Sequence, residues 1–238
     1  MPPPSDEKII NQTAIKKFQE NNFIASESLF YKALIINPDS VVALSYLGLI
    51  NLKKSKLIEA EQFLVRATDL EKKDNVLLFN LGFIKHQLNK IEEAKVFYEK
   101  SNELKKTVMS LNNLASIYWE EGKKDKSINL LEESLEIEEL LPTLSNLSNF
   151  SLQKENYLDA LMYSSKALKV LKLNQEFRLP PVVNFVNAIN GLKKNEYPKD
   201  NTETLEALEF IFEINSEKPV FNDNFFRLIF KEYDAKEL

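Results

Sequence analysis

Small residues return along this chain at a nearly fixed interval, and that interval restricts the fold more than any other feature. Ala14, Gly48, Gly82, Ala115 and Ser148 are separated by 34, 34, 33 and 33 positions. Ser26, Ala60, Ala94, Ser127 and Ala160 keep the same spacings, as do Ala33, Ala67, Ser101, Ser134 and Ala167. Large apolar residues follow the same beat. Ile10, Leu44, Leu78, Leu111 and Leu144 lie four residues before the first small series, and Ile36, Leu70, Leu104, Ile137 and Val170 close each unit. A period of this length means one supersecondary unit repeated, each too small to bury its own apolar face and each sharing a core with the next.

Within a unit the apolar positions recur at steps of three and four, the helical rhythm. Turn-prone residues divide each unit in two: Asn21-Asn22, Lys54-Ser55, Asn89, Glu121-Gly122 and Glu155-Asn156. The spacing therefore predicts two antiparallel helices per unit. The first two small series should meet where the helices of a pair approach most closely, since a bulky side chain there would push the axes beyond the usual separation of about 8–10 Å. The third series should let each pair stack on the next. Asp39-Ser40 and Asp74 stand where an N-cap would open the following helix.

These residues resemble the tetratricopeptide-repeat signature. Leu44, Leu47-Gly48, Ala60, Leu64 and Ala67 match one repeat. Leu78, Leu81-Gly82, Ala94 and Tyr98 match the next, and Leu111, Leu114-Ala115, Tyr118 and Leu131 the one after. Five repeats are expected, at 7–40, 41–74, 75–107, 108–140 and 141–174, covering about seven tenths of the chain. The signature proline survives only as Pro38, with Lys72, Lys106, Glu139 and Lys172 at the other closings. The resemblance implies an all-α right-handed solenoid with a helical C-terminal extension.

Residues 1–6 read as a disordered tail and 175–238 as a divergent helical cap. In that cap Leu179-Pro180-Pro181 breaks the register and Val182 to Lys194 reads as a helix. A loop with Pro198 follows, then a helix from Asn201 or Thr202 to about Ile214, a break at Pro219 and a last helix through Phe225 and Phe230.

In this family the first helices of successive repeats line a concave groove that binds peptides. By position, the resemblance places Asn11, Gln12 and Ile15 there, then Ser45, Tyr46 and Leu49, then Phe79, Asn80 and Phe83. Asn112, Asn113 and Ser116 follow, then Ser145, Asn146 and Asn149. Further along the same helices lie Phe18, Leu52, His86, Trp119 and Leu152.

Asn80, Asn113 and Asn146 occupy one place in three consecutive repeats. An amide both donates and accepts, so such a ladder suits a peptide backbone; the other reading is that these amides bond within or between repeats. The apolar lining of Ile15, Leu49, Leu52, Phe79, Phe83 and Trp119 would mark a binding patch if exposed. The competing readings are a tight superhelix or C-terminal helices that cover it, including the Phe225–Phe230 helix lying in the groove until displaced. The family's carboxylate clamp is poorly matched, because its basic positions fall on Asn11, Val76 and Asn80.

Composition removes other classes. Without cysteine there is no disulfide framework and no thiolate site, and with His86 as the single histidine there is no multi-histidine metal centre. Four glycines furnish no phosphate-binding loop. The net charge of −5, with arginine only at Arg66, Arg178 and Arg227, argues against nucleic acid. No run approaches the roughly 20 apolar residues of a membrane helix.

The expectation is a non-catalytic scaffold for a protein or peptide partner, without cofactor, metal or membrane insertion. A cytoplasmic location is expected, since the opening Met-Pro-Pro-Pro-Ser-Asp lacks the apolar stretch of a secretory signal. The alternatives are an accessory module of a bacterial glycosyltransferase system and a homo-oligomerising assembly module.

Overall fold

Where the sequence switches from helical rhythm to turn residues, the computed structural model reverses the chain. It describes residues 6–174 and 179–192, together with Thr202, Thr204, Glu206, Ala207, Phe210 and Ile211. Among these the helices are α1 Asp6–Gln19, α2 Phe23–Ile36, α3 Val41–Lys53, α4 Leu57–Leu70, α5 Asn75–Gln87, α6 Ile91–Leu104, α7 Val108–Glu120, α8 Lys124–Ile137, α9 Leu141–Gln153, α10 Tyr157–Leu173 and α11 Leu179–Gly191. The fold is all-α, a series of helix-turn-helix pairs with further helix at the C-terminal side.

The reversals share one backbone device. Asn21, Ser55, Asn89, Gly122 and Glu155 all adopt positive φ, between 57° and 77°. This left-handed residue ends each first helix, and only Gly122 is a glycine. The helices that follow are capped unevenly. Asn22 and Asn156 accept from the backbone N–H groups of Ala25 and Asp159, and Ser40 and Asp74 cap α3 and α5 as expected.

The chain divides into two compact units, residues 1–117 and 118–238, with the division inside α7. In the first unit α1–α2, α3–α4 and α5–α6 pair as antiparallel hairpins, and α2 meets α3 as α4 meets α5. The small series does sit at the close approach. A Cβ on Gly48 would lie 2.7 Å from Leu64 Cγ, and one on Gly82 would lie 2.9 Å from Tyr98 Cδ1. Ser26 Oγ donates to the carbonyl of Ala14 across the same contact. Of the third series, Ala67 clusters with Leu44 of its own pair and Leu77 of the following pair, whereas Ser101 turns its hydroxyl to the carbonyl of Asn75 in its own pair. The closing apolar residues Ile36, Leu70, Leu104 and Ile137 are exposed.

In the second unit α9 pairs with α10, α8 meets α9, and α11 packs on both α9 and α10. Leu161, Leu168 and Leu171 of α10 share one core with Val182, Phe185 and Ile189 of α11 and with Ala207, Phe210 and Ile211. The expected start of this helix at Val182 is corrected: α11 begins at Leu179 and takes Pro180 and Pro181 into its first turn. A proline there loses nothing, because the first N–H groups of a helix have no internal partner. Thr202, Thr204, Glu206, Ala207, Phe210 and Ile211 are helical, within the stretch expected from Asn201 or Thr202 to Ile214. The N-terminal tail expected at 1–6 is corrected at Asp6, which opens α1; the rest of that tail, the loop around Pro198, the break at Pro219 and the Phe225–Phe230 helix lie outside the described residues.

Candidate functional site

Two kinds of side chain alternate on the first helix of each pair. One kind is buried against the second helix and the neighbouring pair; the other stands between core and solvent. In the first unit this intermediate strip contains Tyr46, Leu49 and Leu52 of α3, Phe79, Asn80, Phe83 and His86 of α5, and Asn112 and Asn113 of α7. Tyr46 stacks on Phe30 with ring centroids 5.1 Å apart and meets the edge of Phe18 at 5.2 Å. Phe79 and Phe83 stack at 6.4 Å, and Phe79 also leans on Tyr98 at 5.7 Å. The His86 ring sits edge-on to Tyr98 at 6.3 Å. The apolar lining is thus half-buried rather than free-standing, with Ile15 and Leu52 contributing to the cores beneath.

The amides differ from one another. Asn112 Nδ2 donates to the carbonyl of Val108 at 2.8 Å, and Asn113 Nδ2 to that of Met109 at 3.0 Å, each one turn back on its own helix. Asn80 makes no hydrogen bond among the described residues and is half-buried. Asn11 does not line this strip. It is buried, and its amide donates to Glu7 Oε1 at 3.0 Å and Ser40 Oγ at 3.1 Å, tying α1 to the start of α3. Hydrogen bonds from Ser40, Asn37 and Asn11 hold the Glu7 carboxyl below the usual range.

In the second unit Trp119 lies flat on Phe150, with centroids 3.9 Å apart and planes 4° from parallel. Its Nε1 donates to Gln153 Oε1 at 3.0 Å, and the Lys124 ammonium sits 5.1 Å from the ring. Asn149 is exposed, while Asn146 is half-buried and engaged in interactions of its own. Helix α11 reaches this face: Asn184 Nδ2 donates to the carbonyl of Ser145 at 3.4 Å, and Leu152 packs into the shared core.

Three features were not anticipated from sequence. Lys85, on the α5 face opposite the strip, is 8 % exposed and paired with Glu61 of α4, at 2.6 Å, and with Glu93 of α6. Burial disfavours both charges there, yet the hydrogen bonds between them prevail and the Lys85 ammonium is held above its usual range. Nothing but the isolated lysine in an apolar helix hinted at this. The Tyr98 hydroxyl is buried without a hydrogen-bond partner among the described residues, and burial raises its pKa. On the second-helix side of the second unit, a recess of about 290 Å³ is lined by Asp125, Asn129, Glu132, Lys154, Asp159 and Tyr163. Burial and the carboxylates of Glu132 and Asp159 push the Tyr163 phenol up to about 12. Among the described residues no group of three or more potential ligands could hold a metal ion, and no helix is long and apolar enough to cross a membrane.

The hairpins define a helical-repeat protein. Two family models, each described as a tetratricopeptide repeat, match residues 77–107 and 107–142. Residues 77–142 are thus matched by tetratricopeptide-repeat models, and the helix-turn-helix pairs on either side continue the same fold. No curated protein matches the chain in sequence. Among solved structures it is similar to PilW, described as a widely conserved type IV pilus biogenesis factor, with 15 % identity, 92 % of this chain and 96 % of that chain covered, and a TM-score of 0.71. It is also similar to PilF of Pseudomonas aeruginosa, with 16 % identity, 97 % of each chain covered and a TM-score of 0.69. A tetratricopeptide repeat protein from Parabacteroides merdae aligns at 15 % identity over 98 % of this chain and 88 % of the other, with a TM-score of 0.66. At these identities the likeness speaks for the fold alone.

Proposed function

We propose that this protein is a non-catalytic scaffold that docks a peptide or protein segment on the intermediate strip of its first helices. The observation that carries this reading is the pairing of amide and aromatic side chains on α5. Asn80 is half-exposed and without a partner among the described residues, beside Phe79 and Phe83. Aromatic side chains supply large contact area at little entropic cost, and an amide can hold a backbone N–H or C=O whatever side chain follows. Asn113 and Asn146 extend the motif along the sequence. Asn113 spends its amide nitrogen on Met109, so its carbonyl oxygen is the group that would accept from a partner.

The test is affinity capture with the full chain as bait and mass spectrometry as readout, comparing wild type with Asn80→Ala/Phe83→Ala and with Asn113→Ala/Asn146→Ala. Partners retained by wild type and lost by about tenfold or more in the variants support the strip. The same partners recovered equally by all three baits would place the interaction elsewhere.

A further inference from the structure

The strip lacks charge in a chain that is otherwise rich in it. Asp, Glu, Lys and Arg make up 28 % of the sequence. In α3, α5 and α7 the only such residues are Lys53, Lys85 and Glu120. Lys53 and Glu120 stand at the C-terminal ends of their helices, and Lys85 is turned away into its ion pairs with Glu61 and Glu93. Helices α9 and α11 contain none. The second helices are the opposite: α6 alone carries Glu92, Glu93, Lys95, Glu99, Lys100 and Glu103. From α3 onward charge has been sorted to the second helix of each pair, whereas α1 carries Asp6, Glu7, Lys8, Lys16 and Lys17 and so falls outside the uncharged strip.

We infer that the segment docked on α3, α5 and α7 is itself uncharged, an apolar stretch interspersed with small or amide side chains. This rests on the docking reading above. A carboxylate or ammonium laid on this strip would surrender its hydration with no opposite charge to meet it, whereas an apolar side chain between Leu49, Phe79 and Phe83 loses nothing on leaving water. In the second unit the uncharged helix α11 packs on α10 and on the uncharged first helix α9, where Leu152 is half-buried and Asn184 donates to the carbonyl of Ser145. Recognition by matched lack of charge has a kinetic corollary: association proceeds without electrostatic steering and is insensitive to salt.

The experiment is selection of a random peptide library displayed on phage against the immobilised full chain, followed by titration of the enriched peptides. The NaCl concentration is raised from about 0.1 M to 1 M, which shortens the Debye length from about 10 Å to about 3 Å. The expected pool is depleted of Asp, Glu, Lys and Arg. Its affinities shift by less than about twofold with salt, and placing one charge mid-peptide weakens binding by about tenfold or more. Asn80→Lys, which adds a charge at a half-exposed position, should draw acidic residues into the pool and bring back salt dependence. Enriched peptides that are charged and salt-sensitive, yet lost with Phe83→Ala, would overturn this inference and leave the docking reading standing. No enrichment over blank resin, or a pool that binds Phe83→Ala and Asn80→Lys as well as wild type, would overturn the docking reading itself.

Discussion

Replacing single residues in the turn that closes each hairpin should change stability with opposite signs at sites that look alike in sequence. Ser55 and Glu155 hold φ of 59° and 57°, whereas Gly122 holds 77° at the corresponding place. A left-handed conformation costs a residue with a Cβ about 1–2 kcal/mol. Glycine avoids that cost but loses about 0.5–1 kcal/mol more backbone entropy on folding. Ser55→Gly and Glu155→Gly should each therefore stabilise by about 0.5–1 kcal/mol. Gly122→Ala should destabilise by about 1 kcal/mol, and that cost is purely conformational, because a Cβ at Gly122 meets nothing within 4 Å. For a chain of this size each kcal/mol is worth about 2–4 °C in Tm. Ser55→Ala keeps the strain and should stay near wild type. Thermal melts by circular dichroism read all four variants, and Trp119, the single tryptophan, reports separately on the second unit. If Ser55→Gly and Glu155→Gly lower Tm while Gly122→Ala leaves it unchanged, the left-handed turns are not where the structure puts them.

Other expected outcomes rest on contacts within the first unit. Tyr98→Phe removes a buried hydroxyl that has no partner among the described residues; it should stabilise by about 1 kcal/mol, seen as a higher urea midpoint at unchanged slope, and a loss of stability would mean the hydroxyl is satisfied. Gly82→Leu forces a side chain against the Tyr98 ring, where a Cβ alone would already lie 2.9 Å away; a cost of about 1–3 kcal/mol is expected, and an unchanged Tm would mean the register is wrong. Glu7, whose carboxyl is held low by Ser40, Asn37 and Asn11, should contribute stability above its unfolded value of about 4.3 and lose it as the pH falls through its lower folded value. Because Glu7 is only half-buried the effect should be small, and Glu7→Gln should flatten the stability profile below about pH 5; an identical acid limb in both proteins would dismiss the network.

Much of the hairpin architecture was legible because the small residues mark where helices touch. Gly48, Gly82 and Ser26 each sit at a contact that leaves no room for more, so sterics alone keep their period. The helix ends were legible for a related reason: Asn, Ser and Asp at the turns and caps are chosen by hydrogen bonding to backbone. The start of α11 was missed because Pro180-Pro181 reads as a break until one knows that the helix begins one residue earlier. Asn11 was misplaced because its position in the repeat matches a groove residue, while its actual surroundings depend on Glu7 and Ser40, the latter 29 positions away. The half-burial of Leu52, Phe79 and Phe83 could not be read locally either, since it depends on rings such as Tyr98 from the partner helix. By contrast, the scarcity of charge in α3, α5, α7 and α9 was present in the sequence, and becomes informative only once the helices are sorted into firsts and seconds.

Hydrogen exchange of the full chain, with and without an enriched peptide, tests the docking face most directly. The account predicts added protection in α3, α5 and α7, around Leu49, Asn80, Phe83 and Asn113, with the charged second helices α4 and α6 unchanged. Protection that appears on α4 and α6 and leaves the first helices untouched would contradict it.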